Sequence, residues 1–104
     1  MAASVITVSS ATEQDNVMTV STGDGKRYKT LYLEGAKDEQ NDWFLLSTYL
    51  NATELTQIVG LRGLTETSAN AQAIDVVTYD SDDAKAIMTS ADVGTGFLFV
   101  DYYE

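Results

Sequence analysis

Apolar and β-branched residues run through this chain in short stretches, each bounded by glycine or by acidic and hydroxyl residues. That cadence belongs to strands and turns rather than to long helices. Residues 27–34 show it best. Lys29, Leu31 and Leu33 fall on one face of an extended chain, and Tyr28, Thr30 and Tyr32 on the other. Gly23-Asp24-Gly25 just before them is a hairpin signal, because glycine accepts positive φ without steric cost. Residues 5–10 and 17–22 read as further strands, with a polar turn at Thr12, Glu13, Gln14, Asp15 and Asn16.

Residues 35–42 read as a charged loop, and 43–50 (WFLLSTYL) as a buried strand. A short helix opens near Asn51 or Thr53, either of which can cap it. Segment 57–64 reads as a strand with a glycine bulge. A polar loop at 65–71, a strand at 73–79 and a turn at Ser81, Asp82 and Asp83 follow. Segment 84–90 is open between a helix capped by Asp82 and one strand of a closing hairpin. The Val93-Gly94-Thr95-Gly96 turn and a terminal strand at 97–103 favour the hairpin. With no proline to interrupt any ladder, the expected fold is all-β, an antiparallel β-sandwich or small β-barrel with one short helix.

A chain of 104 residues suits one domain, here 1–104, with residues 1–4 and 102–104 as candidate contact arms. No apolar run approaches the length of a membrane helix. The first residues lack the basic and apolar regions of a signal peptide, so a protein made and used without Sec export is expected. Sixteen acidic residues against six basic ones give a formal charge of −10. Such a charge opposes nucleic-acid binding, and Lys26, Arg27 and Lys29 make only a short basic cluster beside Asp24. The acidity suits either a self-repelling soluble surface or adaptation to high salt. The chain holds no cysteine and no histidine. Disulfides, thiolate nucleophiles, cysteine-ligated metals and the usual serine and cysteine hydrolase systems are thereby excluded. The expectation is a protein that is not an enzyme and carries no cofactor.

Several local patterns fit chemistry only loosely. Gly23-Asp24-Gly25-Lys26 has its glycines too close for a phosphate loop, and Arg27 stands where serine or threonine is required. Asp80, Asp82 and Asp83 offer oxygen ligands for a divalent cation, but Ala84 breaks the calcium-loop pattern; exposed turn acids are the plainer reading. Adjacent acids such as Asp38 and Glu39 read as solvated charge rather than a hydrolytic pair. The sequon Asn51-Ala52-Thr53 is a frequent chance match. The aromatic residues carry more. Trp43, Phe97 and Phe99 suit a core, whereas Tyr102 and Tyr103 suit either self-docking or a partner. Val5, Ile6, Phe97, Phe99, Tyr102 and Tyr103 are the candidate protein-contact residues.

The second half, from QIVGLRGLTETSA through AIDVVTYDSDDAKAIMTS to TGFLFVDYYE, resembles small structural proteins of tailed viruses, of the capsid decoration or cement type. The resemblance implies a β-rich subunit on the outer capsid surface that stabilises the shell. Its partner would be the major capsid protein or another virion protein, with a homo-oligomer, most simply a trimer, as the working unit. The resemblance implies virion localisation after synthesis in the host cytoplasm, while the net charge and the lack of a long apolar run argue against nucleic-acid and membrane contact. A tail-tube or head–tail connector subunit and a non-viral ligand-binding β-module are the alternatives.

Overall fold

The computed structural model describes residues 2–15, 28–67 and 71–103. Among them the chain runs through β1 (Val8–Asp15), β2 (Tyr28–Lys37), β3 (Trp43–Leu45), a 3-10 turn (Leu46–Thr48) and α1 (Ala52–Leu55). It continues through β4 (Ile58–Glu66), β5 (Gln72–Asp75), β6 (Val77–Asp80), β7 (Lys85–Met88) and β8 (Gly94–Tyr103). A five-stranded sheet has the order β1-β2-β8-β4-β5, and a three-stranded sheet the order β3-β7-β6. Every strand pair is antiparallel. The fold is all-β, built as two sheets face to face; no closed barrel forms among the described residues.

Alternation explains which face goes inward. Leu31 and Leu33 of β2, and Leu98, Val100 and Tyr102 of β8, are buried against Phe44 of β3 and Ala86 and Met88 of β7. Removing these apolar side chains from water is the main driving force for stacking the sheets. β1 lies beyond this core. Past Val8 its described side chains are exposed, which is why it can be built from SSATEQD with no apolar face. The turn expected at Thr12–Asn16 is therefore overturned up to Asp15. Thr12 to Asp15 pair with Tyr32 to Lys29 of β2, since an edge strand needs backbone partners but no buried stripe. The strand expected at 17–22 and the glycine hairpin at 23–25 lie outside the described residues.

Three further expectations change. The run 43–50 stays extended for only three residues. Leu46 and Leu50 are buried while Ser47 and Thr48 are exposed, a helical rather than alternating spacing, and a 3-10 turn follows. Segment 73–79 is two strands in different sheets: β5 ends at Asp75 and β6 begins at Val77. Finally, Gly94 and Gly96 lie within β8 rather than in a turn, and β7 hairpins back onto β6 through the turn at 81–84. The helix beside Asn51 forms with Asn51 as its cap, segment 84–90 resolves as a strand, and a register shift between Ile58 and Gly60 supplies the bulge in β4.

Candidate functional site

The outward face of the five-stranded sheet is unusually aromatic for a surface that alternation would leave polar. Cross-strand partners share a face. Tyr28 thus sits beside Tyr103, and Tyr32 beside Phe99 and Arg62, while Glu34, Phe97, Leu64 and Ile74 form the next row. Ring centroids lie 5.8 Å apart for Tyr28–Tyr103, 5.2 Å for Tyr32–Phe99 and 6.2 Å for Tyr32–Phe97. These are the tilted spacings aromatic pairs prefer. Arg62 lies 5.2 Å from the Phe99 centroid and 3.4 Å from the Asp101 carboxylate. Asp101 also accepts from the Thr30 hydroxyl at 2.7 Å. Burial raises the Tyr32 phenol above its ordinary value, reinforced by the negative charge of Glu34 and a hydrogen bond to it. The strip is a broad apolar surface whose few charges are already engaged.

On one flank of the sandwich, β5 covers only part of β4. It pairs with Gly63 to Glu66, whereas β8 pairs with β4 from Ile58 onward. Because the chain leaves this sheet after Asp75, residues 58–62 have a strand on one side only among the described residues. Two shallow hollows, of about 460 and 540 Å³, line this flank and share Leu61 and Val77. Ile74, Val76 and Val59 are 80%, 67% and 55% exposed there.

A third feature is internal. Lys37 and Asp75 are both fully buried and joined as an ion pair. The Lys37 ammonium also donates to the Ser90 carbonyl and hydroxyl, and Asp75 accepts from the Thr65 hydroxyl and from the Ser90 amide and hydroxyl. Burial alone would push the Asp75 carboxyl up. Hydrogen bonds from Lys37, Ser90 and Thr65 outweigh it and hold the group below its ordinary value. The centre ties β2, β4 and β5 to Ser90, two residues past β7. Its groups are saturated with one another, so its role is structural.

Comparison with protein-family models, curated proteins and solved structures finds no match. The functional reading therefore rests on these surfaces.

The six expected contact residues divide. Phe97, Phe99 and Tyr103 lie half-buried on the aromatic face rather than in the core. Tyr102, on the opposite face of β8, is completely buried; the last residues before 104 are a strand in the middle of the sheet, not a loose arm. At the other end, Ser4 donates to Asp42 at 2.8 Å, Trp43 donates to the Ser4 carbonyl and Ile6 to the Trp43 carbonyl. Ile6 is consequently core, and Val5 stays half exposed. Trp43 is half-buried with the Lys85 ammonium 4.2 Å from its ring centroid. Among the described residues no group of three acidic side chains is placed to hold a metal. Asp80 instead accepts from the Asp82 amide, and Asp83 approaches Lys85 at 4.0 Å. No described helix is long and apolar enough to cross a membrane. Sequence reasoning missed the buried pair and the open flank. The pair had a signal, since Lys37 is in phase with Leu31 and Leu33, and Asp75 interrupts an apolar run.

Proposed function

We propose that this protein is a structural subunit that works by multi-copy assembly, of the kind that decorates a virion shell and stabilises it. The aromatic strip of the five-stranded sheet carries the proposal. Tyr28, Tyr32, Phe97, Phe99 and Tyr103 stand where a solvated antiparallel face would carry polar residues, and such rings dominate interface energetics. The resemblance of the second half to capsid decoration proteins supports the virion setting, and the missing histidine and cysteine fit a role without catalysis. Copies of the chain meet through this strip, whose charges Arg62, Asp101 and Glu34 are already engaged within the sheet.

Light scattering in dilute buffer and in molar salt tests the reading. A discrete homo-oligomer, with a trimer as the simplest size, is expected, and salt strengthens it by screening the surplus acidic charge. Phe97→Lys returns it to monomer. A protein monomeric in both buffers would overturn assembly through this strip, and a larger ring would identify a tube or connector subunit instead.

A further inference from the structure

The flank left open by β5 borders the aromatic strip and shares Phe99, Arg62 and Ile74 with it, but its unpaired backbone points to a different occupant. We propose that the edge of β4 at residues 58–62 accepts an extended segment of a second, basic protein as an added strand.

Three observations carry this. The first is the backbone. Residues 58–62 pair with β8 on one side, and β5 reaches only Gly63 on the other. An extended segment of five residues spans about 17 Å, and on this edge it would run in line with β5, where a longer β5 would have lain. Strand addition of this kind draws its affinity from main-chain hydrogen bonds and its specificity from pockets for alternate side chains.

The second is the pockets. The incoming strand's outward side chains would meet Ile74, Val76 and Phe99, and its inward ones Leu61, Val77 and Tyr79. Ile74 and Val76 are the most exposed large apolar residues among those described. Val59 projects from the bulge beside them.

The third is charge, which selects the occupant. The hollow lined by Leu55, Tyr79 and Ser81 has acidic residues next to its lining along the chain: Glu54 precedes Leu55, and Asp80, Asp82 and Asp83 surround Ser81 in the β6–β7 turn. Asp82 and Asp83 are exposed. Asp83 faces Lys85 only at 4.0 Å. A second copy, itself carrying −10, would bring acid onto acid. A segment with lysine or arginine at the end lying over this turn would meet opposite charge, which favours association and suppresses the wrong partner. Arg62 and the bulge at Val59 further discourage self-pairing, as charges and bulges do on sheet edges.

The test selects random peptides displayed on phage against the full chain at low salt. Enriched peptides are then synthesised with a fluorescent label and measured by anisotropy. Alternating apolar residues with lysine or arginine gathered at one end are expected. Binding should weaken about tenfold or more in a Val59→Lys/Val76→Lys double variant and stay unchanged in Val93→Lys, exposed at the far end of the sheet. Both substituted valines are exposed, and an unchanged circular-dichroism spectrum with Ile74→Lys as a second single variant guards against misfolding. Amide exchange at residues 60–62 should slow on binding, the signature of an added strand. Failure to enrich any peptide would overturn the proposal. Equal binding to the double variant, or binding without slower exchange at 60–62, would overturn it too.

Discussion

Lys37 and Asp75 show how a single buried pair binds the architecture together. An ion pair out of water gains little net stability over an apolar replacement, but removing one partner strands the other charge. Asp75→Ala should therefore destabilise the fold by about 3–5 kcal/mol in denaturant unfolding, whereas Lys37→Met/Asp75→Leu recovers most of that loss. The pair also fixes an acid limit. Because the Asp75 carboxyl sits below its ordinary value of 3.8 in the folded protein, the folded state holds its proton less tightly than the unfolded chain. Its contribution is complete above that value and is lost as pH falls through the depressed folded value. Unfolding midpoints should drop steeply below about pH 4, less so in the Met/Leu variant. The alkaline limit has the opposite sign. Burial raises Tyr32 and Tyr79, helped by the charges of Glu34 and Asp80, so their contribution is full below the ordinary value of 10.0 and falls as pH rises through the raised one. Lys37 shares a parity with Leu31 and Leu33, but residues 35–42 read as a charged loop, so the extension of β2 to Lys37 went unread. Its partner was not legible, because nothing local tells an acid in β5 which strand will cross beneath it.

Elements obey the same division between local and non-local causes. The α1 cap is wholly local: Asn51 accepts from the Glu54 amide at 2.8 Å, and the Glu54 carboxylate accepts from the Asn51 amide at 2.9 Å. Asn51→Ala should cost about 1 kcal/mol in thermal or denaturant unfolding. The alternating β2 and the bulged β4 were equally legible. Gly94 was not. Its neighbours Val93, Thr95 and Gly96 suggest a turn, yet β8 begins there because Gly94 adopts a φ of 148° and packs against the Glu66 carbonyl. A methyl at that position meets the Glu66 backbone, so Gly94→Ala should destabilise by about 2–3 kcal/mol and raise amide exchange first where Lys37 pairs with Gly94. Segment 73–79 failed for a related reason. Its composition suits one continuous strand, but Gly63 lets the chain turn tightly beside β4, where a Cβ would sit 2.7 Å from Val77 and 2.8 Å from the Asp75 carbonyl. The turn moves Val77 into the other sheet and leaves the β4 edge open. The surface most useful for a partner arises where local pattern and tertiary path disagree.

For the whole molecule, the distribution of charge matters more than its total. Each basic residue among those described already has an acidic partner: Lys29 with Glu13, Lys37 with Asp75, Arg62 with Asp101 and Lys85 with Asp83. The surplus acids are thus left to repel one another across a molecule whose shortest axis is 20 Å. At about 0.01 M salt the Debye length is ~30 Å, so every surface acid feels the others; at about 1 M it is ~3 Å and the repulsion is confined to neighbours. Two readings of the acidity then separate. If the charge serves solubility, sodium chloride raises the unfolding midpoint over the range where the screening length shrinks below the spacing of the acids, and then the curve flattens. If the surface is adapted to brine, the midpoint keeps climbing at multimolar salt. The pairing pattern favours the first, because the exposed pair Arg62–Asp101 and the long Lys85–Asp83 contact weaken in salt while the buried Lys37–Asp75 pair does not. The expected result is a rise up to about 0.5 M followed by a plateau, measured by thermal unfolding at constant protein concentration. The same series with Asp75→Ala should show a parallel curve displaced to lower temperature, since the buried charge lies beyond the reach of mobile ions.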